Sequence, residues 1–186
     1  MQQQFSRRHF LRGTGAVALG SSSVLGACAL GEPELSVNEQ LNLGASAAVE
    51  AIRMGKLSAQ TYVQTLLERA TSQAGLNALI SIDKTGAMAA AAKIDAMRAS
   101  GAKLPALAGL PIVVKDNINT LNLPTTGGTP ALRNARPNAN APVLQKLIDA
   151  GAIVMGKANM HELAFGITSS NFSSFAGLVK NPFDHS

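Results

Sequence analysis

The sequence predicts an α/β fold, in which a helical lead-in is followed by a mixed sheet with helices on both faces. Three observations carry this. Short apolar runs at 112–114 and 153–155 flank a helical segment at 141–150, the strand–helix–strand alternation of an α/β sheet. Both runs are continuously apolar, as expected of strands covered on both faces. Upstream, apolar residues recur at helical spacing through much of 44–99. With 46% hydrophobic and 15% charged residues, the 186-residue chain can bury the core of one domain. Aromatics are only 4%, so small side chains and close backbone contacts must build that core.

The first 27 residues read as an address rather than as part of the fold. Ser6-Arg7-Arg8-His9-Phe10-Leu11-Arg12 precedes an apolar, small-residue run from Gly13 to Ala27. That run is shorter than the roughly 20 residues a permanent transmembrane helix needs, and a charged head before it has the physics of a secretory signal. Arg7 and Arg8, followed by Phe10 and Leu11, resemble a twin-arginine export signal. Leu25-Gly26-Ala27-Cys28 resembles a lipobox, whose cysteine is acylated; ordinary cleavage after Ala27-Cys28-Ala29 is the alternative. The lipoprotein reading is favoured because a lone cysteine closing the apolar run is otherwise hard to explain. The expected location is the periplasm or cell envelope, with membrane attachment only through the signal or a lipid anchor. Residues 28–36 read as a tether and 37–186 as the folded portion.

Within that portion, residues 44–54 and 58–72 read as helices. Ser58 is placed to cap the second, and Tyr62, Val63, Leu66 and Leu67 form its apolar stripe. Leu79–Ile82 reads as a strand, and 84–99 as an alanine-rich helix ending at Gly101. Pro111 opens the strand that runs into Lys115-Asp116-Asn117. Thr125 to Pro130 is a glycine-rich loop. The helix at 141–150 has Pro142 in its first turn and Gly151 just past its end, and Asn140 is placed to cap it.

Charge and cysteine content exclude some classes. Of the formal +5, Arg7, Arg8 and Arg12 supply three charges. No basic stripe is interleaved with aromatics, so no nucleic acid partner is expected. One cysteine cannot form an internal disulfide, and His9, His161 and His185 are too scattered for a metal site. No cofactor is expected.

Lys115 is the candidate for chemistry. It follows three β-branched residues at the end of a strand expected to be buried, and lysine is rarely buried without partners or a task. A desolvated lysine gives up its proton more readily and can act as a base. From spacing alone, a lysine snorkelling to the surface is the preferred reading. Asp116 is placed to order the adjoining loop by accepting backbone N–H bonds. Gly127 and Gly128 are either turn residues or a place where backbone approaches a substrate. Lys157 and Glu162 read as a surface pair of little energetic worth, and His161 as a surface residue.

The surroundings alter the reading of Lys115. Residues 107–117 (Leu-Ala-Gly-Leu-Pro-Ile-Val-Val-Lys-Asp-Asn) closely resemble the segment bearing the catalytic lysine of amidase-signature enzymes. Thr125-Thr126-Gly127-Gly128-Thr129-Pro130, then Gly156-Lys157-Ala158-Asn159-Met160-His161-Glu162, then Asn181-Pro182-Phe183-Asp184 resemble later segments of the same family, in the same order. The resemblance implies an incomplete amidase-signature domain and a hydrolase of carbon–nitrogen amide bonds other than peptide bonds, acting on a small-molecule amide. In that family a neutral lysine takes a proton from a bridging serine, and that serine takes one from a nucleophilic serine. The nucleophile attacks the amide carbonyl, forming an acyl-enzyme that water then releases. Only Lys115 carries over by residue. The bridging serine lies in a Gly-Gly-Ser-Ser-Gly-Gly segment that follows the Asn-Pro-x-Asp landmark in the family. Here the chain ends at Ser186, and Ser169, Ser170, Ser173 and Ser174 precede that landmark. The 186-residue chain is therefore expected to be inactive by itself. Two other readings are an amidotransferase A-type subunit, against which the export signal argues, and a non-catalytic envelope lipoprotein.

Overall fold

The computed structural model describes residues 35–166, 171–173 and 175–184. The export signal, Cys28, most of the tether, Ser169, Ser170 and Ser174 lie outside the described residues. In chain order the elements are α1 Val37–Leu41, α2 Ala45–Met54, α3 Ala59–Ser72, β1 Leu79–Ile82, α4 Lys84–Ala99, β2 Pro111–Lys115, α5 Pro142–Asp149 and β3 Ile153–Ala158. The architecture is α/β, as the sequence predicts.

The lead-in is assembled by its caps. Ser36 and Glu39 form a reciprocal capping box that starts α1, a Ser-x-x-Glu signature sequence inspection passed over. Gln40 of α1 is buried and accepts a 2.7 Å hydrogen bond from the Thr65 hydroxyl of α3. Ser58 caps α3 as expected, accepting from the Thr61 N–H at 3.0 Å. The Asp95 carboxylate of α4 reaches the same helix end, accepting from Ala59 N–H at 2.9 Å and Gln60 N–H at 3.0 Å. A negative charge at a helix N-terminus answers its unpaired donors, and here it also fastens α4 to α3. The expected stripe faces inward, with Tyr62, Val63 and Leu67 buried and Leu66 partly so. Ala87 and Ala91 of α4 are fully buried, so this helix approaches its neighbours closely, as the shortage of aromatics demands. These helices share one core with Leu104, Ala108, Ile153 and Met155.

The sheet is mixed, in the order β1-β3-β2. β1 runs antiparallel to β3 and β2 runs parallel to it. The β2–β3 register shifts between Ile112 and Val113, which face Val154 and Gly156. Cover is less complete at β2 than its apolar sequence implies: Val114 is 5% exposed but its neighbour Val113 is 49%. The physical reason is position, since among the described residues β2 is an edge strand with one open face. Asn140 differs from expectation too. The residue capping α5 is Ala141, without a side-chain bond, while Asn140 accepts from Leu121 N–H at 2.8 Å and donates to Gln145 Oε1 at 2.8 Å. It ties a loop to the helix instead of capping it.

Gly156 sits where β3 is flanked on both sides. A Cβ there would lie 2.3 Å from the Ser81 carbonyl oxygen and 3.1 Å from the Ile82 Cα. Both are backbone atoms that cannot swing aside. Gly156→Ala is expected to destabilise the chain by about 1–3 kcal/mol through overpacking, read from denaturant unfolding. A wild-type midpoint would show that β1 can move away without cost.

Candidate active site around Lys115

Strand β2 delivers two adjacent residues to opposite sides. Successive strand side chains alternate faces. Val114 and Asp116 are buried, whereas Val113 and Lys115 are exposed. Exposure of Lys115 agrees with the reading from spacing, a lysine that reaches the surface, and corrects the expectation that its strand is covered on both faces.

Asp116 is fully buried and makes the site. Its Oδ2 accepts from Thr126 N–H at 3.2 Å, from the Thr126 hydroxyl, and from Gly128 N–H at 3.3 Å. Its backbone N–H donates to the Ala158 carbonyl and its own carbonyl accepts from Gly127 N–H, each at 3.1 Å. It does order a loop through backbone donors, as expected, and the loop is the glycine-rich one ten residues on. Oδ1 has no hydrogen-bond donor among the described residues. It lies 3.6 Å from the ammonium of Lys157, which is also fully buried.

Lys157 is therefore no surface partner of Glu162. It sits in β3 opposite Val114, and its Nζ donates to the Ile118 carbonyl at 2.7 Å and to the Thr125 hydroxyl at 2.9 Å. Burial lowers its proton affinity, with the Asp116 carboxylate opposing that effect. The sequence signal was available: a lysine inside the apolar run from Ile153 to Ala158 has few ways to reach water.

Gly127 and Gly128 have φ of 59° and 70°, left-handed backbone for which glycine is suited. Both are buried, and their polar backbone atoms bond inside the chain. Their N–H groups meet Asp116, the Gly127 carbonyl accepts from Leu163 N–H at 2.7 Å, and the Gly128 carbonyl accepts from Asn171 Nδ2 at 2.7 Å. They act as the turn that closes on Asp116, leaving no free backbone donor for a substrate. Asn171, which sequence reading missed, is fully buried and also donates to the Met160 carbonyl at 3.2 Å. Ser173 bonds the same node, its hydroxyl donating to Asn171 Oδ1 at 2.6 Å, in keeping with a loop role. His161 is half-buried rather than on the surface. Its Nδ1 is enclosed without a hydrogen bond among the described residues, with Gly166 packed against the ring.

Residues 61–186 match the family model described as Amidase. The chain belongs to the amidase family. It is 43% identical over 139 residues to mandelamide hydrolase of Pseudomonas putida, covering 73% of this chain and 27% of the relative. It is 44% identical over 141 residues to a glutamyl-tRNA(Gln) amidotransferase subunit of Deinococcus radiodurans, covering 76% and 28%. The crystal structure of peptide amidase from Stenotrophomonas maltophilia superposes with a TM-score of 0.71 at 32% identity, covering 77% of this chain and 31% of that one. The chain thus spans under a third of the length of these relatives. Within the stretch matched to the amidase family, the exposed Lys115 adjoins the buried pair Asp116 and Lys157.

Two outcomes follow from the pair. Asp116→Ala leaves the Lys157 ammonium buried without its counter-charge and is expected to cost about 3–5 kcal/mol, measured by denaturant unfolding. The pH dependence has a fixed sign. The folded-state pKa of Lys157 lies below 10.5. At pH below that folded value, both states hold the proton and the burial cost is fully present. Between the folded value and 10.5 the unfolded chain binds more protons, so stability rises with pH. Burial also raises the Tyr62 phenol, but Tyr62 is present in both wild type and Lys157→Met and cancels in their difference. Wild type should gain stability relative to Lys157→Met as pH approaches 10.5. A pH-independent difference between the two would contradict the assignment.

Proposed function

We propose that this chain is the lysine-bearing portion of an exported amide hydrolase, acting on a small-molecule amide through a lysine–serine–serine relay. The observation that carries the reading is Lys115 itself. It stands on the open face of β2 while the next residue, Asp116, is bonded inward, within segments that resemble the family in order. In the proposed reaction the neutral Lys115 amine accepts a proton from the bridging serine hydroxyl, which takes one from the nucleophilic serine. The nucleophile oxygen bonds to the amide carbonyl carbon, the carbon–nitrogen bond breaks, and the relay returns a proton to the leaving amine. Water cleaves the resulting ester and frees the acid. Both serines belong to the longer protein of this proposal, so the 186-residue chain alone turns over no amide. Among the described residues no group of His, Cys, Asp and Glu could hold a metal ion.

An amidotransferase component is the second reading, supported by the 44% identity to a protein of that name. Arg7 and Arg8 ahead of the Gly13–Ala27 run favour the exported hydrolase, since charging of tRNA is cytoplasmic chemistry. Cys28 acylation would then anchor the protein at the envelope, with the tether to residue 36 as spacer.

Two experiments test the proposal. Lys115→Ala and Lys115→Arg, made in the longer protein, should each remove amide hydrolysis while leaving the melting temperature close to wild type. Arginine keeps its proton at neutral pH and cannot act as the base. Substantial turnover by the arginine variant would eliminate the relay. For export, changing Arg7 and Arg8 together to lysine should leave the protein in the cytoplasm on fractionation; normal delivery of that double variant would refute the twin-arginine route.

A further inference from the structure

The mechanism proposed for Lys115 leaves one buried charge without a duty, the Lys157 ammonium. We propose that Lys157 is a positioning residue for Lys115, a staple that fixes the end of β2 and so the direction in which Lys115 leaves the sheet. This rests on the reading of Lys115 as the base.

The connections are short and run through backbone. The Lys157 Nζ donates to the Ile118 carbonyl at 2.7 Å, and the Ile118 N–H donates to the Lys115 carbonyl at 2.9 Å. The ammonium therefore holds the turn that begins on Lys115. The same Nζ faces Asp116 Oδ1 at 3.6 Å, which keeps the next residue along pinned to the covered side. Strand alternation then leaves Lys115 only the open face. Its third contact, to the Thr125 hydroxyl at 2.9 Å, joins the start of the glycine-rich loop whose Thr126 and Gly128 N–H groups bind Asp116. One buried cation thus closes a ring of four segments around the residue that carries Lys115. A stabilising role alone does not require this arrangement. A buried ion pair is weak support for stability compared with apolar packing of similar volume, whereas its strict geometry suits it to specifying orientation.

The test uses Lys157→Met and the neutral double variant with Asp116→Asn. The double variant removes both charges and so leaves no orphan ion, which keeps the test readable if the single variant does not fold. In the 186-residue chain, amide hydrogen exchange should accelerate about tenfold or more at position 116, Thr126 and Gly128 in the double variant. The amides of Val63 and Ile94, in the helical core, should exchange as in wild type. In the longer amide-hydrolysing protein, kcat should fall about tenfold or more with KM little changed, the pattern of a displaced base and not of lost substrate binding. Unchanged exchange at the three amides overturns the staple, as does acceleration shared equally with Val63 and Ile94, or a rise in KM at constant kcat. The exchange result does not depend on hydrolysis. If Lys115→Arg remains active, the functional reading fails and with it the duty proposed for Lys157, even where exchange shows that the ring opens.

Discussion

The site depends on one buried charge pair, Asp116 with Lys157. Removing two charges from water costs several kcal/mol for each ion in a real protein interior, and attraction offsets this only with good geometry and further hydrogen bonds. The surrounding chain supplies them. Three donors converge on Asp116 Oδ2, and two oxygens take the Lys157 protons. Delivering the Gly128 N–H to the carboxylate is compatible with the left-handed backbone at Gly127 and Gly128. That turn in turn directs the Gly128 carbonyl at Asn171, whose amide would stand 2.6 Å from any Cβ at position 128. Each feature is intelligible as a partner to the one before it.

Much of the fold was legible in the sequence because local rules and global packing agree. The expected helices and strands from Ala45 to Ala158 match the observed ones closely, since caps such as Ser58 and stops such as Gly55 and Gly151 coincide with the apolar periodicity. α1 escaped because five residues are too few to display a period, although its capping box was in plain view. The site was less legible. Lys157 read as a surface residue because pairing by sequence proximity suggested Glu162, whereas its partner lies 41 positions upstream and meets it only through parallel pairing of β2 with β3. Asn171 gave no periodic signal, its role being set by which carbonyls a loop happens to present. The error over the cover of β2 has a different origin. A continuous apolar run implies burial on both faces, but an edge strand can be apolar and still open on one.

The two lysines show how strand register divides labour between identical side chains. Lys157 is committed, its three donor directions directed at Ile118, Thr125 and Asp116. Lys115 is one strand away, facing Ala158 in the ladder, yet exposed. Under the proposed function, a lysine that is to exchange protons with the bridging serine needs an amine that is not already committed to other partners. A lysine that is to hold a turn needs the opposite. The first requirement is met by open surface on this piece of chain and the second by complete enclosure.

Relatives with different names resemble the chain to the same degree. The chain is 43% identical to mandelamide hydrolase and 44% identical to the glutamyl-tRNA(Gln) amidotransferase component. The described residues of the site bond mainly to one another, and the glycine pair offers no free backbone donor outward. On strand β2 the residues facing out are Lys115 and Val113. Under the proposed function, this face presents a base and a patch of apolar strand, and neither discriminates among amides. Under the proposed function, the ring around Asp116 and Lys157 is constrained by the need to aim Lys115. That need would be common to any amide the complete protein of this proposal cleaves, so the ring itself carries no substrate preference.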